Sequence, residues 1–127
     1  MKTKKIVTLV LITFLLSFAQ KSFAQDWTHW FTDNQVYFYY KLVPQQGGND
    51  AYYKVKTVNG SREVKSIYYW PVFKIGQTVT VSFAKKYFHL SSGKVEVSKF
   101  IINTQAKIQS GNKVPYLNLK EYSVKKY

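Results

Sequence analysis

Alternation of apolar and polar residues predicts strands along almost the whole chain. The clearest case lies within residues 66–83, SIYYWPVFKIGQTVTVSF, around which the rest is expected to be organised. Val79, Val81 and Phe83 fall on one side and Thr78, Thr80 and Ser82 on the other, the period-two pattern of a half-buried strand. The run before it is apolar on both sides, with Tyr68 and Trp70 on one face and Ile67, Tyr69 and Phe73 on the other. A central strand reads this way, either covered on both sides or displaying tyrosines. Pro71 has no N–H to give to a ladder, so it is expected at an edge, a bulge or a strand end. Gly76 suits the tight turn that follows.

Five further strands are expected, at 36–43, 51–58, 85–90, 94–102 and 114–124. In the first, Val36, Phe38, Tyr40 and Leu42 face inward, and Tyr37, Tyr39 and Lys41 face outward. In the second, Tyr53 and Val55 point in, while Lys54 and Lys56 point to water. Asn59-Gly60 is expected to make a type I′ hairpin turn into the strand at 63–73, which also accounts for the glycosylation sequon Asn59-Gly60-Ser61. Ser91-Ser92-Gly93 is expected to close a second hairpin. Val95 and Val97 share a face but Phe100 and Ile102 fall out of step, so a β-bulge is expected near Lys99. Ser110-Gly111-Asn112 is the last turn, Leu117 and Leu119 point inward after it, and Lys125, Lys126 and Tyr127 are expected to fray. About seven short strands without a long helix predict an all-β fold. The expected architecture is a two-sheet, immunoglobulin-like β-sandwich, with a small OB-like β-barrel as the alternative.

Two segments precede this domain of residues 36–127. Residues 1–24 have a basic start (Lys2, Lys4, Lys5), an uncharged apolar run and small residues at Ser22 and Ala24. That is the anatomy of a secretory signal peptide, and the apolar run is too short to cross a bilayer. Cleavage is expected near Ala24, with Ala19 as second choice, giving an exported protein of the periplasm or exterior. In the aromatic segment 25–35, QDWTHWFTDNQ, Trp27, Trp30 and Phe31 stand at i, i+3 and i+4. One helical turn capped by Asp26 would gather them on one side, as a plug over an open end of the core or as a docking arm.

Composition narrows the chemistry. The chain has no cysteine, so neither a disulfide nor a lipoprotein anchor can form and packing alone must hold the fold. The formal charge is +13, and four lysines fall in the expected leader, which leaves nine net positive charges. Such an excess favours anionic glycans, envelope surfaces or nucleic acid, and export disfavours nucleic acid. The basic residues are scattered over several strands, so a merely solubilising exterior is the competing reading. The two histidines, His29 and His89, and six acids show no catalytic or metal-binding motif. His29 and Asp33 on one helical turn would supply two ligands without a third. No catalytic residue, metal or cofactor is expected.

Aromatic residues make up 18% of the chain, enough to ask whether some serve a ligand. Tyr37 and Tyr39 share an expected outer face with Lys41, and Tyr52 shares the next with Lys54 and Lys56. If those strands pair, rings that stack and cations that attract form one platform. Trp27 and Trp30 complete the candidate binding set. Tyrosines also pair well across strands without any ligand. The expected function is a non-catalytic binding module for an anionic or carbohydrate cell-surface partner. The alternatives are a structural or protein-interaction subunit that docks by a strand edge or the Trp27/Trp30 arm, and an enzyme or enzyme inhibitor of unrecognised type.

Overall fold

The computed structural model describes residues 27–127. The expected leader and the expected capping residue Asp26 lie outside the described residues. Eight strands and one short helix follow in the order β1 (Thr28–Asp33), β2 (Val36–Val43), β3 (Tyr52–Asn59), β4 (Lys65–Ile75), β5 (Thr78–Ser82), β6 (Lys86–Leu90), β7 (Val95–Ile101), α1 (Thr104–Gln109) and β8 (Tyr116–Lys126). They form two antiparallel sheets and do not close into a barrel. The first sheet has the order β1-β2-β3-β7. In the second, β4 is central, with β8 along one side and β5 and β6 end to end along the other.

One apolar core joins the sheets. Val36, Phe38, Tyr53 and Val55 from the first meet Ile67, Tyr69, Phe73 and Leu117 from the second. Phe38 packs edge-on to Tyr69 at 6.0 Å, and Tyr53 meets Phe73 at 5.8 Å. Leu42, expected inside, is instead 40% exposed at the strand's end. Pro71 sits where the register with β8 shifts, in the gap between β6 and β5. Its missing N–H therefore breaks no ladder, which is how a proline can occupy a central strand.

The N-terminal segment is a strand and not a helical turn. Asn34 and Gln35, with φ of 49° and 65°, join β1 to β2, the two positive φ values a type I′ hairpin needs. A register shift between His29 and Phe31 is a bulge at Trp30. The bulge lets consecutive residues share a face: Trp30 and Phe31 both pack toward the core, so the spacing that imitates a helix comes from a kinked strand.

Both expected hairpins of the chain's middle prove to be crossings between sheets. Asn59 ends β3 in the first sheet, and β4 lies in the second. Neither Asn59 nor Gly60 has positive φ. Asn59 is fully buried; its Nδ2 donates to the carbonyls of Glu63 and Leu90 at 2.8 and 2.7 Å. Its Oδ1 accepts from the Ser61 N–H and hydroxyl at 2.9 and 2.6 Å. Gly60 is needed for close approach, since a Cβ there would stand 2.6 Å from Cε2 of Tyr37. Likewise Ser91-Ser92-Gly93 carries the chain from β6 in the second sheet to β7 in the first. No bulge occurs near Lys99: β3 and β7 stay in register from Tyr52↔Ile101 to Val58↔Val95. Ser98, Phe100 and Ile102 are the buried set, and Val95 and Val97 face outward. Lys125 and Lys126 do not fray, because they pair with Ser66 and Lys65. The short helix α1, capped by Asn103, lies in a stretch the alternation pattern leaves blank.

Two buried hydroxyls of the core, those of Thr57 and Tyr69, make no hydrogen bond. Burial pushes the Tyr69 hydroxyl up to about 12; Ser98 lies close enough to lower it slightly, without a bond of normal geometry. An unfolded tyrosine titrates near 10.0. The folded state thus holds its proton longer, and the associated stability is intact below pH 10 and drains as pH climbs toward 12. Urea unfolding should show roughly 1 to 2 kcal/mol lost from this residue by about pH 11. Tyr69→Phe should abolish that portion of the loss. At neutral pH the variant should match the parent within about 0.5 kcal/mol or exceed it, having no partner to lose.

Candidate functional site

The outer face of the first sheet is a grid set by strand register. Side chains alternate faces along each strand, and neighbouring strands lie about 4.8 Å apart. Four rows result. Thr32, Tyr37, Val58 and Val95 form one, and His29, Tyr39, Lys56 and Val97 the next. Lys41, Lys54 and Lys99 form the third, and Val43, Tyr52 and Ile101 the fourth. No carboxylate occupies any position of these rows. Three lysines therefore stand side by side on three adjacent strands, an arrangement that costs stability through like-charge repulsion.

Aromatic rings lie among these cations. Trp27 has Lys41 at 4.7 Å and Lys56 at 4.5 Å over its ring. Lys56 is also 4.9 Å from Tyr39, and Lys99 is 4.2 Å from Tyr52. Each such contact at an exposed site stabilises by about 0.5–1 kcal/mol, which offsets part of the repulsion and holds the ammonium groups over the face. Beyond the lysine row, the loop from β2 to β3 rises to wall a groove of about 450 Å³. Val43, Pro44, Tyr52, Lys99 and Ile101 line it, with Asp50 as its acid.

Seven of the eight candidate residues thus fall on one surface: Tyr37, Tyr39, Lys41, Tyr52, Lys54, Lys56 and Trp27. Trp30 does not join them. It packs against Phe31 and Tyr40 at 5.6 and 5.5 Å on the core side. Lys99, Val97, Ile101 and His29 also belong to the face, outside the candidate binding set. The change of apolar phase at Ser98-Lys99 hides Lys99 in the sequence; the unbroken register of β3 with β7 places it on this face.

His29 gives its Nε2 to a 2.7 Å hydrogen bond with Thr32 Oγ1 and lies edge-on to Tyr39. His29 and Asp33 lie on a strand, so the helical turn that would have paired them as ligands is absent. Among the described residues no group of three or more His, Cys, Asp or Glu is placed to hold a metal ion, and no helix is long and apolar enough to cross a membrane. No protein-family model, curated protein or solved structure matches the chain.

If the lysine row is a strained feature, relieving it should stabilise the fold. Lys54 is the middle member, so Lys54→Gln is expected to raise stability by about 0.5–1 kcal/mol at low salt. The gain should shrink at high salt, where the repulsion is already screened. Thermal melts of both proteins at the two salt levels measure it.

Proposed function

We propose that the protein is an exported, non-catalytic binding module that holds an acidic polysaccharide of a cell surface on the outer face of β1-β2-β3-β7. The observation that carries this reading is the directly opposed pair Lys54–Lys99 on neighbouring strands. Like charges directly opposed across strands cost stability, and a ligand of opposite sign would relieve that cost. Tyr39, Tyr52 and Trp27 beside the row supply flat faces for sugar rings and hydroxyl or indole groups for their polar edges. The basic start and apolar run of the first 24 residues favour export, and with it a glycan over a nucleic acid.

An immunoglobulin-like arrangement is part of the same proposal. In such sandwiches the second strand lies beside the fifth and the third beside the sixth. With β2, β3 and β4 as the first three strands, and β5 and β6, end to end along one side of β4, counted together as the fourth, the pairs β3–β7 and β4–β8 follow that pattern.

Titration of a sulfated and a carboxylated polysaccharide onto the mature protein tests the reading. Binding is expected at low salt and is expected to fall steeply as salt rises. Lys54→Glu and Lys99→Glu should each weaken it about tenfold or more, a change of about 1.4 kcal/mol. Absence of binding to both polymers at low salt removes the proposal.

A second reading, docking by a strand edge, is favoured by β7. Among the described residues, three of the four sheet edges are interrupted: β1 by its bulge, β8 by the shift opposite Pro71, and β5/β6 by the gap between them. Only β7 keeps unbroken register, with Val95, Val97 and Ile101 about half exposed beside it. A regular apolar edge invites strand addition. On this reading the protein self-associates as concentration rises, in a salt-tolerant way, and Val97→Lys prevents it. A concentration-independent monomer in sedimentation experiments dismisses it.

A further inference from the structure

The outer face of the second sheet carries its own combination of rings and cations, on elements that the first face does not use. Trp70 projects from β4 with Lys85 at 4.6 Å and Lys120 at 4.4 Å over its ring, and its Nε1 donates to Ser82 Oγ at 3.0 Å. Two positions back, Tyr68 lies against Tyr87 at 4.7 Å, and Tyr87 is 76% exposed. A groove of about 480 Å³ runs beside this pair. Its polar groups are Ser66, His89, Ser123 and Lys125. His89 is held in place, with Nδ1 2.9 Å from Ser66 Oγ and its ring 3.9 Å from that of Tyr127. On this face the side-chain carboxylate of Glu121 accepts from the Tyr68 hydroxyl at 3.1 Å. Its charge is set against the three lysines named, so the face remains net positive.

An exposed ring, a groove beside it, hydroxyl groups in the wall and an ammonium at the rim match one saccharide unit bearing an acid group. The ring takes the sugar's apolar face, Ser66 and Ser123 meet its hydroxyls, and Lys125 meets the acid. Resting on the reading of the first face given above, we infer that the second sheet holds a second site for the same acidic saccharide, so that one domain cross-links two polymer chains. The two faces point away from each other across a two-sheet core, so a short oligosaccharide on one does not reach the other. A long polymer becomes bridged, and avidity on a dense surface rises without any new contact.

Calorimetry with short oligosaccharides, one sulfated and one carboxylated, and light scattering with the parent polymers separate the outcomes. The inference expects two oligosaccharides per protein and turbidity with the long polymer. Tyr87→Ala, at an exposed position, should reduce the stoichiometry to one and abolish turbidity while the remaining site keeps its affinity. Lys54→Glu should do the same from the other side. A parent stoichiometry of one, lost with Lys54→Glu and unchanged by Tyr87→Ala, overturns the second site and leaves the first reading intact. A stoichiometry of one that is lost with Tyr87→Ala alone overturns the first reading and the cross-linking with it.

Discussion

Asn59 uses every hydrogen-bonding position of its side-chain amide inside the protein, and both crossings between the sheets depend on it. Its side chain fixes the Ser61–Glu63 corner that leads from β3 to β4, and it also grips the carbonyl of Leu90 at the end of β6. Its backbone N–H bonds the Lys94 carbonyl at 3.0 Å, and its carbonyl accepts from Gly93 at 2.8 Å. The first crossing and the second are thus tied at one residue. In a chain with no cysteine, this network takes the place that a covalent staple holds in many exported β-domains. Loss of the amide would strand several buried groups at once, each at about 1–3 kcal/mol. Full burial of a side chain whose four bonds are all internal also removes the sequon from use in the folded protein.

Fixing the corner fixes the faces. Once β3 leaves its sheet at Asn59, Tyr53, Val55 and Thr57 must point inward, because a one-residue slip would turn them all to water. Lys54 and Lys56 are then bound to the outer face. Gly60 makes room for Tyr37, which brings β2 and the β1–β2 turn against the same corner, where the Gly60 N–H donates to the Gln35 carbonyl at 2.9 Å. The lysine row is therefore no accident of flexible side chains. It follows from the register of three strands whose inner faces are committed to the core.

Short-range pattern was a good guide to which residues are buried and a poor guide to which strands are neighbours. Val36, Phe38, Tyr53, Val55, Ile67, Tyr69 and Phe73 were legible as core because alternation acts within one strand. The central role of the stretch around Tyr68 to Phe73 was legible because both of its faces are apolar. Asn59-Gly60 misled because its signal is local, whereas the deciding contacts come from Glu63 and Leu90, the latter far along the chain. The true type I′ turn, Asn34-Gln35, carries no glycine; Asn34 is held there from outside, its Nδ2 donating to the Val124 carbonyl at 2.7 Å. Lys99 stayed out of the candidate site for a related reason. Its neighbour Lys54 lies on a strand that precedes it by a long excursion through the other sheet.

The two outer faces differ from the core in how completely their groups are satisfied. Inside, nearly every polar group has a partner, and Thr57 and Tyr69 stand out as exceptions. Outside, several cations are gathered over rings on both sheets. Such contacts orient the ammonium groups but do not neutralise them, because the quadrupole of a ring carries no net charge. Lys41 and Lys99 gain ring contacts on this face, whereas Lys54 stands between them and opposite both. The repulsion between Lys54 and Lys99 is the physical ground for the proposal that the first face serves a ligand.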